Sequence, residues 1–529
     1  MKIKYNNGIT LIALVITIVV LLILASITIG AVTSENGIIR NANDAKEQTE
    51  IAEEKEIVDR ATIQAMGNNS RGNIVEDELQ EQLDKITGNG KTEADDVGEE
   101  FEVAFIESKR YYTVDKDGTV TGPQEIVEDK SPGDITKDKN GDSLKGDEDE
   151  PYEIWCIEDL CAFSNEVNSG NVFANKTIIL MRDLNFNSKY SYVNGNITVD
   201  GKIPSCNSIE ELKKVLTENE GFYPIGDDKT NNAIFRGTFD GNNKAIKNIY
   251  INRPDMSVGL FGLTSNTSDY NIIIKNLSIS GNMTGNNVGS IFAVVRTYDN
   301  SNKGSFIKIE NCISDVKIEG SDYVGGIIGM NNASSTGNLI IANCINKGTI
   351  NGKSYVGGIL GHNYNNTKII NCYNSGSVAG ELDVGGIVGH DYRQSNIINS
   401  YNLGNIKSNS NAGGITGWLG WDERSIENCY NIGDISGNVK GGIIGGLNIS
   451  NELLTTKNCY YLNKNISKGT GSWNGGGESQ EDINGVSDTE MKSSETLEKL
   501  NEYVATNKEK GSIQLKKWVQ GSDGYPTFE

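Results

Sequence analysis

The phrase Val356-Gly357-Gly358-Ile359-Leu360-Gly361 decides the fold because it recurs. Val324-Gly325-Gly326-Ile327-Ile328-Gly329 precedes it and Val384-Gly385-Gly386-Ile387-Val388-Gly389 follows. Looser copies begin at Val258, Val288, Ala412 and Lys440, so the first residues lie 30, 36, 32, 28, 28 and 28 positions apart. A second phrase keeps step with it: Asn311-Cys312-Ile313, Asn343-Cys344-Ile345, Asn371-Cys372-Tyr373, Asn399-Ser400-Tyr401, Asn428-Cys429-Tyr430 and Asn458-Cys459-Tyr460. Two phrases locked to one period indicate stacked structural repeats.

Each unit holds short β-branched or apolar runs punctuated by Gly and Asn, without helical periodicity. That pattern predicts the coils of a parallel β-solenoid, in which equivalent residues stack about 4.8 Å apart and each repeated type becomes a ladder. The paired glycines then permit close backbone approach at a corner, and the Ile that follows points inside. The Asn tolerates a left-handed turn, and its amide reaches the copies above and below. Cys serves as a small buried filler, and Ser400 in its place argues for volume rather than sulfur chemistry.

With these residues in hand, the repeats resemble the GLUG motif of bacterial surface proteins. Phe235-Arg236-Gly237-Thr238-Phe239-Asp240-Gly241-Asn242-Asn243-Lys244-Ala245-Ile246 is similar to the coil that leads into such repeats. The similarity spans about residues 222–465. It implies a right-handed β-solenoid on a cell surface, and it implies no reaction.

The net charge of −23, from 48 basic and 71 acidic residues, argues against a nucleic-acid partner, which needs a basic face. Strong acidity suits a solvated extracellular body. Eight cysteines in 529 residues are too sparse for a disulfide scaffold, and in-register parallel neighbours are poorly angled for an S–S bond. No CxxC motif supports a zinc or redox site, and no cofactor is expected.

The amino terminus carries the second strong signal. Residues 1–8 are short and polar with Lys2 and Lys4, and residues 9–32 are uncharged. As a helix those residues would reach about 36 Å, enough to cross a bilayer. Gly8 stands directly before the apolar run, in Gly8-Ile9-Thr10-Leu11-Ile12-Ala13-Leu14. This resembles a type IV prepilin leader and implies cleavage by prepilin peptidase between Gly8 and Ile9, with methylation of the new amine. Ala13 departs from the pattern, since the fifth mature residue of such subunits is usually Glu. That favours a minor pilin, a pseudopilin or an unassembled role over a major filament subunit, and a plain membrane anchor is the alternative. Lys2 and Lys4 favour an amino terminus inside, which places the body outside a single-pass membrane helix.

Residues 33–66 read as an amphipathic stalk helix and 67–123 as a small α+β module with a hairpin turn at Asp117-Gly118. Residues 124–150, with ten acidic residues and four lysines, read as an acidic linker. The outer domain, residues 151–470 with core repeats at 258–465, is expected to open with a capping helix over 157–168. A second helix is expected behind Ser208 and Glu211, and residues 471–529 to form a C-terminal cap. The expected fold is therefore mainly β, a parallel β-helix with capping helices, preceded by a pilin-like helix and a small α+β module.

His362 and His390 follow the last Gly of their repeats and stack in this register with Trp418; Tyr364, Tyr392 and Trp421 stand beyond. Three readings of this aromatic strip stay open. It can stabilise a corner, bind a glycan or a protein on the cell surface, or, with Asp391, catch a metal. No HExxH, GxSxG elbow, P-loop or dinucleotide fingerprint stands out. Asp383, Asp391, Asp422 and Glu423 are candidates for a polysaccharide lyase or hydrolase pair, and ordinary turn acids are the simpler account. The expected function is a non-enzymatic surface protein displaying a β-helix for adhesion or ligand binding, with pilus or pseudopilus subunits as further partners.

Overall fold

The computed structural model describes residues 38–68, 74–96, 100–108, 110–125, 133–138, 141–186, 190–193, 196–199, 221–226, 234–267, 270–298, 305–332, 338–420, 422–448, 454–464, 466–473 and 482–529. The leader and membrane run, with Gly8 and Ile9, lie outside the described residues, as do Trp421 and the helix expected behind Ser208. Among the described residues no helix is long and apolar enough to cross a membrane. The chain divides into two compact units, residues 1–126 and 127–529.

In the first unit helix α1 (Ile38–Asn68) packs with helix α2 (Glu76–Thr87) on an antiparallel sheet. The sheet runs β1 (Thr92–Asp96), β2 (Glu100–Phe105), β3 (Arg110–Asp115), β4 (Val120–Glu125) in sequence order. Val58, Ala61 and Ala65 of α1 and Leu79 and Leu83 of α2 meet Phe101, Val103, Tyr112 and Val114 in one core. The small Ala side chains let helix and sheet approach. Arg110 grips Glu54 through both Nε (2.9 Å) and Nη2 (3.1 Å), and the Tyr112 hydroxyl donates to the same carboxylate at 3.0 Å. Such a forked pair fixes geometry as well as charge.

The second unit is a parallel β-solenoid of about nine turns. One coil runs from Tyr355–Gly357 through Leu360–Asn363 and Thr367–Ile370 to Tyr373–Asn374 and Val378–Gly380. Each strand pairs in register with its counterpart in the next coil: Val356 with Val384, Leu360 with Val388, Ile369 with Ile397, Tyr373 with Tyr401. The valine and glycine columns read from the sequence are therefore true ladders, with Val324, Val356 and Val384 fully buried.

The asparagine of the second phrase behaves as its chemistry demands. Asn311, Asn343, Asn371, Asn399, Asn428 and Asn458 all have φ between 50° and 55°. Asn399 donates to Asn371 at 2.7 Å and Asn428 to Asn399 at 2.6 Å. Cys312, Cys344, Cys372, Cys429 and Cys459 stack inside with Ser400 among them, and the seven described cysteines are free thiols. Burial pushes the Cys459 thiol up to about 12, so it stays protonated and inert.

A second asparagine ladder runs through the interior and was not singled out in the sequence. Asn346, Asn374, Asn402 and Asn431 are buried, and each of the first three donates to the next at 2.7 Å. Each also donates to the carbonyl two residues on, as Asn374 does to Gly376 at 2.8 Å. Asn374→Ala leaves Asn346, Asn402 and the Gly376 carbonyl each one partner short away from water. The expected loss is about 2–3 kcal/mol in urea-induced unfolding, since each such buried group costs about 1–3 kcal/mol and neighbours do not add fully.

The amino-terminal end is closed by helix α3 (Ile157–Asn168), whose Phe163 packs against Phe173, Phe235 and Phe239. The acidic stretch expected as a linker joins this end from Gly133 onward. Ile135 is buried in the solenoid core and its carbonyl accepts from Glu153 N at 3.0 Å. The Asp138–Asp142 loop closes on itself, Asp142 N donating to Asp138 Oδ1 at 2.7 Å. Composition had hidden this, because one apolar residue suffices to anchor a charged segment.

Glu158, in the first turn of α3, is 2 % exposed, and burial raises its pKa to about 7, eased by its backbone amide and Cys156. Below pH 4.5 the carboxyl is protonated folded and unfolded, so it costs nothing. From pH 4.5 to about 7 folding must take up a proton, and stability falls; above that the penalty is constant. That gap, at about 1.4 kcal/mol per pH unit, amounts to about 3 kcal/mol. Glu158→Gln is therefore expected to stabilise the second unit by about that much at pH 8 and to change little at pH 4, read by thermal unfolding at the two pH values.

The C-terminal tail departs from expectation. The last coils are closed from inside: Tyr461 turns into the core where Asn431 sits one coil earlier, beside Ile466 and Ile483. Strand Ile483–Val486 of the tail pairs on Cys459–Leu462 and covers this end, but the rest of the tail turns away from it. Helices α4 (Asp488–Met491) and α5 (Ser494–Asn507) and the strands after them lie along the solenoid's flank. The physical reason is an outward apolar stripe. Tyr373, Tyr401, Tyr430 and Tyr460 stack up the flank, with ring centroids 4.6 Å and 4.9 Å apart over the first three. Leu500, Trp518 and Phe528 cover them.

Candidate functional site

The aromatic strip grows from the strand that follows each glycine corner. Leu360–Asn363 pairs with Val388–Asp391 and then Thr416–Gly420, which sets Met330, His362, His390 and Trp418 in one outward column. The preceding strand adds a second column, Tyr323, Tyr355, Asp383 and Asn411. The expected stacking is present: His362 lies 5.1 Å from His390, and His390 4.3 Å from Trp418 with the rings 14° apart. Tyr355 closes in at 4.3 Å from His390 and 5.4 Å from His362.

This inner cluster is packed rather than open. Burial, and then His390, push His362 down to about 3, so its imidazole stays neutral. His390 Nδ1 meets Asp383 Oδ2 at 2.6 Å, and Asn411 donates to the other Asp383 oxygen at 2.7 Å. The Trp418 indole lies where a side chain on Gly420 or Gly446 would have to go. Rings stacked in this way use faces on one another, which fits a corner-stabilising role for His362, His390 and Trp418.

Tyr364 and Tyr392 form an outer pair, centroids 5.3 Å apart and 19° from parallel, and Tyr392 borders the inner cluster 6.3 Å from His390. Tyr364 is 39 % exposed. The Arg393 guanidinium lies 5.5 Å from the Tyr392 ring and 5.9 Å from Tyr364, with Asp422 3.7 Å from its Nε. Two stacked phenol edges beside a cation offer hydrogen bonds and charge to a polar ligand.

Three of the four candidate acids are held by neighbouring groups. Asp391 is fully buried, within 3.6 Å of Arg424, and accepts from Asn363 at 2.8 Å and from Ser395. Asp383 is engaged by His390 and Asn411, Asp422 faces Arg393, and Glu423 is exposed. Among the described residues no group of three or more His, Cys, Asp or Glu is placed to hold a metal.

Comparison with known proteins bears on the coil that carries Tyr355, His362 and Tyr364. Residues 352–379 match the GLUG motif. Its Val-Gly-Gly phrase stands 32 residues after the preceding copy and 28 before the next. The chain is also similar to halomucin of Haloquadratum walsbyi, 27% identical over 187 residues. That match takes in 35% of this chain and 2% of halomucin, so the chain spans a small fraction of that relative's length. A crystal structure from Bacteroides ovatus, of a candidate immunoglobulin A1 protease, aligns with a TM-score of 0.43 at 19% identity, covering 73% of this chain and 95% of the other.

Two features of this region were missed in the sequence. Tyr323 and Tyr355 precede the Val-Gly-Gly phrase at the repeat period and could have been read as the strip's second column. Arg393 stands alone in its coil, so no periodic signal marks it.

Proposed function

We infer that this is a membrane-tethered, pilin-like bacterial surface protein that holds its solenoid outward as a non-enzymatic binding body. The observation that carries the binding role is the outer Tyr364–Tyr392 pair with Arg393 beside it, on a rigid coil of a GLUG-bearing solenoid. Phenol edges and a guanidinium suit a glycan or a polar protein surface, held through hydroxyl and carbonyl groups. The apolar run at 9–32 behind Gly8 supports tethering and prepilin-type processing, and the α1 helix packed on an antiparallel sheet suits a pilin-like stalk and module.

The test is a glycan array probed with the detergent-extracted full chain. Binding that is lost in Tyr364→Ala and Tyr392→Ala, with the melting temperature unchanged, supports the reading. Binding that survives both changes refutes it, and release of a cleaved product would make the solenoid a lyase or hydrolase instead. Mass analysis of the mature amino terminus is expected to find methylated Ile9; an intact Met1 would reduce the segment to a simple anchor.

A further inference from the structure

The flank under the tail is built as a rail for the main chain of the tail, helical at α5 and extended after it. Asn371, Asn399, Asn428 and Asn458 of the outer ladder each donate one amide hydrogen to the asparagine of the preceding coil and turn the other outward. Asn371 gives its second hydrogen to the Gln514 carbonyl at 2.8 Å, Asn399 to Lys516 at 3.0 Å, Asn428 to Leu500 at 3.2 Å and Asn458 to Lys499 at 3.1 Å. In return Lys516 N donates to Asn371 Oδ1 at 3.1 Å, and Trp518 Nε1 to Asn399 Oδ1 at 2.7 Å. One tail thus ties four successive coils through main-chain groups, as an extended segment at Gln514 and Lys516 and as helix α5 at Lys499 and Leu500.

Side chains then fix the register. Ile513 and Leu515 settle on the stripe of Ala342, Ile370 and Ile398, while the coils before that stripe carry charged Lys275 and Glu310 in the same column. The apolar rail therefore begins where the tail begins to cover it. Charge agrees with this: Lys508–Gln520 holds four lysines and one glutamate, net +3, in a chain of net −23. Lys510 Nζ lies 3.7 Å from Glu427, which also accepts from the Tyr503 hydroxyl at 2.5 Å.

None of these contacts needs the tail and the rail to belong to one chain. We propose that the rail is an interaction surface for the C-terminal tail of a second copy, so that crowded copies exchange tails and are linked to one another. The competition is set by effective concentration: the chain's own tail wins when copies are dilute, and exchange sets in as local density approaches the millimolar scale of a short tether. Display at a surface supplies such density.

Two full-length variants test this without unfolding anything. Lys510→Arg removes the tail amine and Glu427→Gln removes the rail carboxylate. A zero-length carbodiimide crosslink between positions 510 and 427 forms in the wild-type chain and in neither variant alone. When the two variants are co-expressed and concentrated to roughly millimolar, the crosslink returns only if the tail of one copy lies on the rail of the other. Random pairing in fully exchanged dimers gives about a quarter of the wild-type yield, accompanied by a dimer mass in light scattering. No crosslink at any concentration overturns the proposal, and so does a dimer that forms without it. Glycan binding by the outer Tyr364–Tyr392 pair is read separately and stands or falls on its own.

Discussion

Gly385→Ala is expected to remove about 4 kcal/mol or more from the stability of the solenoid, measured as a shift in the urea midpoint of the far-ultraviolet circular dichroism. A Cβ at this position would lie 1.9 Å from the Val388 carbonyl oxygen and 2.6 Å from Gly417 N. Both obstacles are backbone. They cannot swing aside as a side chain would, because the corner is pinned on each side: Gly358 N donates to the Gly385 carbonyl at 3.1 Å and Gly386 N to Gly413 at 3.2 Å. Relief therefore requires a coil to move off its neighbours, breaking ladder hydrogen bonds along the corner.

Gly380→Ala, at the end of the preceding coil, is the internal control. Its added methyl would meet only the side-chain methyls of Val356 and Val384, at 2.7 Å and 2.9 Å. Those can shift, so the expected loss is about 1 kcal/mol. Equal effects at the two positions would show that the glycine column is a matter of strand propensity rather than of close backbone approach.

That contrast also marks what could be read from the chain. Val356, Gly357 and Asn371 announced their roles because each recurs at one period, and a period in a solenoid converts directly into contact between like residues. The stacking of His362, His390 and Trp418 followed from the same register. What the period could not supply was depth. Nothing local distinguishes a ring that projects, like Tyr364, from one packed beneath its neighbours, like His362, because the difference depends on Tyr355 from the preceding strand.

The tail was illegible for a related reason. Trp518, Ile513 and Leu515 belong to no repeat, so their partners on the flank are set by a long-range fit that leaves no spacing to detect. Half of the signal was nevertheless present. Tyr373, Tyr401, Tyr430 and Tyr460 recur in step on a strand whose inward place is already taken by Cys, and an outward tyrosine row on a solvated protein calls for a cover. At the other end, Ile135 shows how little apolar sequence is needed to fix a segment whose composition reads as linker.

Trp518→Ala tests that cover directly. The indole is 1 % exposed, its ring lies 5.4 Å from Tyr401, 5.6 Å from Tyr430 and 4.6 Å from Phe528, and its Nε1 holds Asn399. Truncating a buried Trp to Ala costs about 3–5 kcal/mol, and here the Asn399 oxygen also loses a donor. Because solenoid coils hold one another through ladders the tail does not share, the loss should fall on the docking of the tail and leave the coils folded. Amide exchange in residues 494–528 is therefore expected to speed up by roughly a hundred- to several-thousand-fold, while the Leu360–Asn363 and Val388–Asp391 strands keep their protection. A uniform loss of protection through both regions would mean that tail and coils unfold as one cooperative body. An unchanged tail would mean that the main-chain bonds to Asn371, Asn428 and Asn458 hold it without the indole, and that the tyrosine row is a bystander to docking.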